Sequence, residues 1–320
     1  MTTTLSHKYR PSTFDDVVGQ EHLIPALKKI GAKEQMPNLL FAGTPGTGKT
    51  TCAYLIAKEK FGKNWKDNII EFNASDERGI DVVREKIKHL ALTSQDKIIF
   101  LDEADNLTSD AQAALRRIME DAPNTTFILS VNRNHKIIPA IKSRCAIFSF
   151  SKISDNCIKE KIFSVLKSEG IEPIGDIDKL KEGIELLVQT SHGDMRHALN
   201  TLDSIVSSDK KINAGEIKIL EKPKNIQAVL QIAIDGNIEK AMQLLEDTLL
   251  IQRMDNDELV YEFYESIGKC SALPEIKAKL YIMLKDVEDA LNHGATPLIQ
   301  FIAFIHMAYI APHLRGIMRN

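Results

Sequence analysis

The chain has 320 residues, 43% of them apolar and 27% charged, with 41 Lys and Arg against 44 Asp and Glu for a net charge of −3. That length suits two or three domains, and the composition is that of an ordinary globular protein, which excludes the disordered, fibrous and collagenous classes. A slightly negative net charge excludes bulk basicity as the source of any nucleic-acid contact. No N-terminal apolar run resembles a signal peptide, and no uninterrupted apolar stretch is long enough to span a bilayer, so no membrane partner is expected.

The four cysteines, Cys52, Cys145, Cys157 and Cys270, show no C-x-x-C spacing. Neither a zinc site nor a disulfide framework is suggested, and a reducing intracellular setting follows. Charge is distributed unevenly. Residues 1–150 carry 21 Lys and Arg against 18 Asp and Glu, residues 151–220 carry 10 against 12, and residues 221–320 carry 10 against 14. A polyanionic partner would therefore prefer the N-terminal part, although segregation this small also arises by chance.

In residues 1–150, short apolar or β-branched runs alternate with helical patterns. The runs Leu39–Ala42, Ile69–Asn73, Lys97–Asp102, Phe127–Val131 and Ile147–Phe150 read as strands, with helical patterns at about 51–61, 80–92 and 109–120. Such alternation predicts a parallel sheet covered by helices. Thr108 is a candidate N-cap for the helix that follows, and Pro123 stops it. From about residue 154 strand signals fade, and 155–169, 178–191 and 193–208 read as helices. A Pro/Lys break at Lys222-Pro223-Lys224 precedes several amphipathic helices. The boundaries expected are 1–152, an α/β domain; 153–221, a helical one; and 222–320, an all-α one. In the last of these Ile299, Ile302, Ala303, Ile305 and His306 lie in a helix too apolar to be left uncovered, by a partner or by the domain's own core.

The most informative stretch is Gly43-Thr44-Pro45-Gly46-Thr47-Gly48-Lys49-Thr50, which fits G-x-x-x-x-G-K-[ST] between a predicted strand and a predicted helix. Glycines let backbone N–H groups wrap an anion, and the helix N-terminus adds its positive end. Lys49 is placed to reach the β- and γ-phosphates of a nucleotide, and the Thr50 hydroxyl to ligate Mg²⁺. A second motif is the buried strand Ile98-Ile99-Phe100-Leu101 delivering Asp102 and Glu103. Carboxylates at such a strand end can serve the metal (Asp102) and orient the attacking water (Glu103). Asn132 ends the next strand, as a contact to the γ-phosphate or as a simple turn residue. Arg144, in Ser143-Arg144-Cys145, is either an arginine finger or a surface arginine. Arg196, early in a helix, either reaches the phosphates or pairs with Asp194 or Asp203.

Together these residues resemble an AAA+ ATPase, and more narrowly the replication factor C small-subunit family of archaeal and eukaryotic type. The stretches Lys8-Tyr9-Arg10-Pro11 with Asp15-Asp16-Val17-Val18-Gly19-Gln20, Asn73-Ala74-Ser75-Asp76-Glu77-Arg78-Gly79-Ile80, Leu101-Asp102-Glu103-Ala104-Asp105, Ala114-Leu115-Arg116-Arg117-Ile118-Met119-Glu120, Ser143-Arg144-Cys145 and Gly193-Asp194-Met195-Arg196 carry the likeness. It is dense over residues 8–200. His7 departs from it, standing where an acidic residue is expected. The resemblance implies ATP and Mg²⁺ as cofactors, with Tyr9, Arg10, Pro11, Val17 and Val18 lining the adenine and ribose pocket. Gly43, Thr44, Pro45, Gly46, Thr47, Gly48, Lys49, Thr50 and Thr51 would hold the phosphates and metal, with Asn132 and Arg196 as sensors and Arg144 acting on a neighbouring subunit's ATP. Arg78 and Arg84 would track DNA phosphates, which needs no sequence readout. The far end of the same helix would face a clamp, with Leu90 and Leu92 as candidate apolar anchors and core packing as the role of at least one of them. The resemblance further implies an AAA+ nucleotide-binding α/β domain over 1–152, a helical lid over 153–221 and an all-α oligomerisation collar over 222–320.

The implied function is ATP-dependent opening and loading of a sliding clamp at primer–template DNA during replication, together with a large subunit and further small subunits, in the cytoplasm (or the nucleus of a eukaryote). No four-cysteine cluster follows the phosphate loop, unlike the bacterial motor subunits. Two other readings remain at this point: a different AAA+ DNA motor such as a branch-migration helicase, and a structural subunit that binds ATP without needing to hydrolyse it.

Overall fold

Strand pairing in the N-terminal half is dictated by apolar runs that bury both faces. The structure, a computed structural model, describes residues 4–75, 81, 83–93, 95–174, 177–206, 210–213, 226–252 and 256–311, and of residues 83, 84, 173, 213, 247, 249–252, 257 and 258 the backbone alone. The chain divides into two compact units, Met1–Ile217 and Lys218–Asn320.

In the first unit, strands β1 (Asn38–Ala42), β2 (Ile69–Asn73), β3 (Lys97–Asp102), β4 (Thr125–Val131) and β5 (Cys145–Ser149) form one sheet in the order β2-β3-β4-β1-β5. Every pairing is parallel, with Leu39 opposite Ile128, Phe41 opposite Phe148 and Asn73 opposite Asp102. Successive side chains alternate between faces. Leu39, Phe41, Ile98 and Phe100 pack with Cys52, Leu55 and Ile56 of α2 (Lys49–Phe61) and Leu27 of α1 (Ile24–Gly31). Leu40, Ile99, Leu101 and Leu129 pack on the other face with Leu115 and Ile118 of α3 (Ser109–Asp121). A sheet covered on both sides explains why these strands read as continuous apolar runs rather than alternating ones.

Helix boundaries follow local chemistry. Thr108 caps α3 by accepting a hydrogen bond from the Ala111 N–H at 3.2 Å, as its sequence position predicts. Ser154 caps α4 (Asp155–Glu169) in the same way, and Gly170 ends it with φ of 64°. Helix α4, α5 (Ile177–Thr190) and α6 (Met195–Ile205) enclose a separate apolar cluster built from Ile158, Ile162, Ile184, Leu187, Leu199 and Leu202. Two three-residue strands, β6 (Glu172–Ile174) and β7 (Lys211–Asn213), pair in parallel beside it. Sequence reading misses them because three residues carry no measurable alternation.

In the second unit the described residues form five helices: α7 (Ile226–Ile234), α8 (Ile238–Gln252), α9 (Asn256–Lys269), α10 (Pro274–Asn292) and α11 (Pro297–Ile310). They share one core in which Phe263 stacks on Phe301 (centroids 4.8 Å) and meets Phe304 edge-on (5.2 Å). The break at Lys222-Pro223-Lys224 lies outside the described residues. Among those residues, no helix is long and apolar enough to cross a membrane.

Phe263 is fully buried. Phe263→Ala is expected to cost about 3–5 kcal/mol through lost burial and the cavity left behind. Denaturant unfolding followed by circular dichroism should show an earlier loss of helix, and an unchanged transition would refute the aromatic cluster as the centre of this unit.

Candidate nucleotide site

The site begins where β1 runs out. The Gly43 N–H donates to the Val131 carbonyl at 3.1 Å, the last sheet contact before the chain turns into the phosphate loop. Three glycines serve three different needs. At Gly43 an added Cβ would stand 2.4 Å from the Phe150 carbonyl oxygen, and at Gly46 it would stand 1.6 Å from Asp194 Oδ1. Gly48 has φ of 102° and opens on empty space, so its requirement is the left-handed backbone that starts α2. The loop borders a cavity of about 380 Å³ at the carboxyl ends of the strands, where open parallel sheets bind ligands.

Lys49 anchors the centre. Its ammonium donates to the Gly43 carbonyl (2.7 Å), the Thr44 carbonyl (2.9 Å) and Asn132 Oδ1 (2.9 Å). Burial pulls its pKa down to about 8, against the opposing pull of Asp102 and Asp105. The buried ammonium is therefore held by neutral acceptors on one side and faces a cavity on the other. Thr50 Oγ1 donates to Asp102 Oδ2 at 3.0 Å, bringing together a hydroxyl and a carboxylate from α2 and β3. These are hard oxygen ligands suited to Mg²⁺, which binds through one or two carboxylates and completes its shell with water and phosphate. Among the described residues no cluster of three or more His, Cys, Asp or Glu could form a metal cage by itself.

Glu103 has φ of 54°, one of three non-glycine residues in the left-handed region among the described residues. That conformation turns the chain directly after the strand, and Glu103 also lines the cavity. Asn106 Nδ2 donates to Glu103 Oε2 at 3.1 Å. Strained backbone at a strand end beside a cavity is a recurrent feature of functional sites.

The opposite wall comes from the opening segment and α6. Tyr9, Arg10, Pro11, Val17 and Val18 all line the cavity, as do Pro45 through Thr51, Asp102, Asn132 and Arg196. Arg10 Nε donates to Thr51 Oγ1 at 3.3 Å, and its guanidinium lies 5.0 Å from the Tyr54 ring centre. Asp194 caps α6 by accepting from the His197 N–H at 2.8 Å, and the Met195 N–H donates to the Gly46 carbonyl at 3.3 Å. The start of α6 is therefore built directly onto the phosphate loop. His7, the departure from the family pattern, also lines the cavity.

Other predicted residues stand apart from it. The Gly43 and Thr44 carbonyls face Lys49 and do not border the cavity. Arg144 lies outside it, ion-paired to Glu120 and donating to the Ala140 carbonyl at 2.8 Å. Arg78 lies outside the described residues, and of Arg84 only the backbone, in the helical stretch Val83–Ile87, is described. Leu90 packs against the sheet core, while Leu92 is exposed.

Three buried polar residues escape sequence reading. Asp105 accepts from the Asn132 N–H (3.2 Å) and the Arg133 N–H (3.1 Å), tying the turn after β3 to the turn after β4. Gln20 is fully buried and bridges Thr47 and Ser151 through their backbone groups. Gln112, on α3, binds the Leu107 and Lys136 carbonyls and the Ile138 N–H. Their signal lies in partners distant along the chain, which spacing does not reveal.

Comparison with known proteins identifies the family. The family model for the ATPase family associated with various cellular activities (AAA) matches residues 39–152, and that for the replication factor C C-terminal domain matches residues 221–306. The replication factor C small subunit of Archaeoglobus fulgidus is 40% identical over 313 residues, covering 95% of this chain and 96% of its own. That of Haloarcula marismortui is 37% identical, covering 93% and 92%. Among solved structures, the Holliday junction branch migration motor RuvB of Thermotoga maritima superposes with a TM-score of 0.54 at 21% identity, covering 74% of this chain and 85% of that one, a likeness of fold. With an AAA ATPase domain and full-length relatives at this identity, the chain belongs to the replication factor C small-subunit family.

Proposed function

We propose that this chain is the ATP-hydrolysing small subunit of a clamp loader, opening a sliding clamp and placing it on primer–template DNA in a complex with a large subunit and further small subunits. The observation that carries the reading is a cavity that gathers Lys49, Thr50, Asp102, Glu103, Asn132 and Arg196 around one phosphate loop, while Arg144 stands elsewhere. ATP would lie with its phosphates against residues 46–51 and its base toward Tyr9, Pro11, Val17 and Val18. Lys49 supplies positive charge to the phosphates, and Asn132, already bonded to Lys49, fixes its direction. Thr50 and Asp102 would hold Mg²⁺, which when bound neutralises charge on the β- and γ-phosphates. Glu103 orients water at the strand end and accepts its proton. Arg196, at the start of α6, reports the phosphates to the helical part of the unit. Arg144 would complete a neighbour's site, and Arg78 and Arg84 would follow DNA phosphates.

The fold shared with RuvB raises a branch-migration motor as the second reading. A winged-helix DNA reader would require strands after residue 221, and the described residues there form helices and no strand. A purely structural ATP-binding role leaves the Glu103 carboxylate at the cavity without a task.

The decisive experiment is steady-state ATPase of the chain assembled with its large-subunit partner, with primer–template DNA and clamp added separately and together. Stimulation by both is expected, and Arg144→Ala should retain ATP binding while losing about 10³-fold at the sites it serves. Stimulation by DNA alone, indifferent to clamp, would favour the motor. Multiple rounds of loading by Glu103→Gln would favour the structural role.

The lowered pKa of Lys49 gives a pH dependence with a definite sign. A polyanion binds the ammonium form, and above about pH 8 the free site loses that proton. ATP affinity should therefore fall as pH rises past 8, by up to about tenfold per pH unit. Equilibrium titration with a fluorescent ATP analogue checks this, and Lys49→Met should be weaker and flat over the same range. A wild-type affinity that rises above pH 8 would overturn the assignment.

The collar assignment has its own test. On α11, Ile299, Ala303, His306 and Ile310 lie on one exposed face, with Ile299 61% exposed, while Phe301, Phe304 and Ile305 fill the core. Ile299→Asp is expected to leave helicity intact and weaken assembly by at least tenfold in sedimentation. Undiminished assembly would remove this face from the interface.

A further inference from the structure

Two parts of the first unit meet at one carboxylate that lies outside the cavity. Glu169 is the last residue of α4, and its side chain is 12% exposed. It accepts a hydrogen bond from the Tyr9 hydroxyl at 2.8 Å, across 160 positions of sequence, and forms an ion pair with Lys8. Lys210 approaches its other oxygen at 3.8 Å and donates to the Glu169 main-chain carbonyl at 2.9 Å. Two ammonium groups and a phenol thus converge on the carboxyl end of a helix, where the helix dipole favours positive charge.

The geometry reaches the cavity through Tyr9. Its ring lines the cavity, and so does Lys161 of α4, whose ammonium lies 5.9 Å from the Tyr9 ring centre. Below them Leu5 is buried with Ile158 and Ile162, and Tyr9 and Val18 pack on the same cluster. Among the described residues before Tyr9, the only helix is the four-residue turn Leu5–Lys8. So short a turn cannot hold its own conformation, and the place of the Tyr9 ring must come from tertiary contacts.

We infer that Glu169 is a positioning residue for nucleoside recognition: it fastens Tyr9 and Lys8 to the end of α4 and so fixes the wall against which the base rests. The inference rests on the reading of the cavity as a nucleotide site. Hydrogen bonds from Lys8 and Tyr9 hold the Glu169 carboxyl below the usual carboxylate range, while burial and the same carboxylate raise the Tyr9 phenol. Donor and acceptor therefore keep their roles throughout the neutral range. Because Glu169 acts through Tyr9, at the end of the cavity assigned to the base, and not through the phosphate loop, its loss should act on the nucleoside and spare the phosphates.

The test uses the full chain and displacement of a fluorescent ATP analogue by two competitors, ATP and inorganic tripolyphosphate. Glu169→Ala is expected to weaken ATP about tenfold, the size of a lost hydrogen bond to a charged group, and to leave tripolyphosphate unchanged. Glu169→Gln, which still accepts from Tyr9, should recover part of the loss. Tyr9→Phe should also weaken ATP, and the Glu169→Ala/Tyr9→Phe pair should be no weaker than the worse single variant. ATP binding by Glu169→Ala at wild-type strength would overturn the inference, as would equal weakening of both competitors, which is the mark of a general loosening. Lys49→Ala should weaken both competitors; if it weakens neither, the nucleotide reading itself falls and takes the inference with it.

Discussion

The burial of one ammonium group sets the terms for the rest of the first unit. Lys49 is removed from water, and removing a charge from water is costly unless acceptors replace the lost hydration. The Gly43 and Thr44 carbonyls and the Asn132 side chain supply that replacement. They come from the loop after β1 and the end of β4, adjacent strands in the sheet. The sheet order is therefore a condition for holding the charge as well as a result of apolar packing. An ammonium whose direct acceptors are all neutral remains poised for an anion in the cavity beside it, and its burial accounts for the lowered pKa.

A second layer of polar contacts keeps the strand-end turns from drifting. Asp105 links the turn after β3 to that after β4, Gln20 links the opening segment to the phosphate loop and to Ser151, and Asp194 sets the start of α6 against Gly46. Each joins segments that the apolar core alone would leave free to slide. Buried hydrogen-bonded networks of this kind add rigidity because an unpaired member would be expensive. The Asp194 contact has a functional corollary. Any side chain at position 46 would displace the carboxylate that caps α6, so the phosphate loop and the helix bearing Arg196 cannot be altered independently.

Much of this arrangement is legible in the sequence because it follows from local rules. The five strands are apolar runs of the right length, Thr108 announces its helix, and the phosphate loop declares itself by spacing. The Asp102–Glu103 pair is legible too, because it ends a buried apolar run that follows a phosphate loop; an acidic pair at a strand end would say little by itself. What escapes is long-range or very short. Strands β6 and β7 have three residues each, too few for a period. Gln20 stands within a recognisable box, yet its burial depends on Ser151, 131 positions away. Glu169 reads as one more charge at a helix end until Tyr9 and Lys8 are seen to converge on it. The steric reason for glycine at position 46 lies in Asp194, and no spacing rule predicts it.

The position of Arg144 bears on how such a site is switched. Within its own subunit it stands outside the cavity, its guanidinium on Glu120 and the Ala140 carbonyl. A finger stationed at its own active site would stabilise departing phosphate whenever nucleotide bound, and hydrolysis would proceed in the isolated chain. Supplying it from a neighbour, as proposed, would make turnover conditional on assembly. The pairing with Glu120 is partly exposed on both sides, and exposed ion pairs contribute about 1 kcal/mol or less. A triphosphate offers more charge and better hydrogen-bonding geometry than one carboxylate. On the proposed reading, the free subunit would keep its arginine in a contact strong enough to define a position and weak enough to surrender to a nucleotide-bearing neighbour.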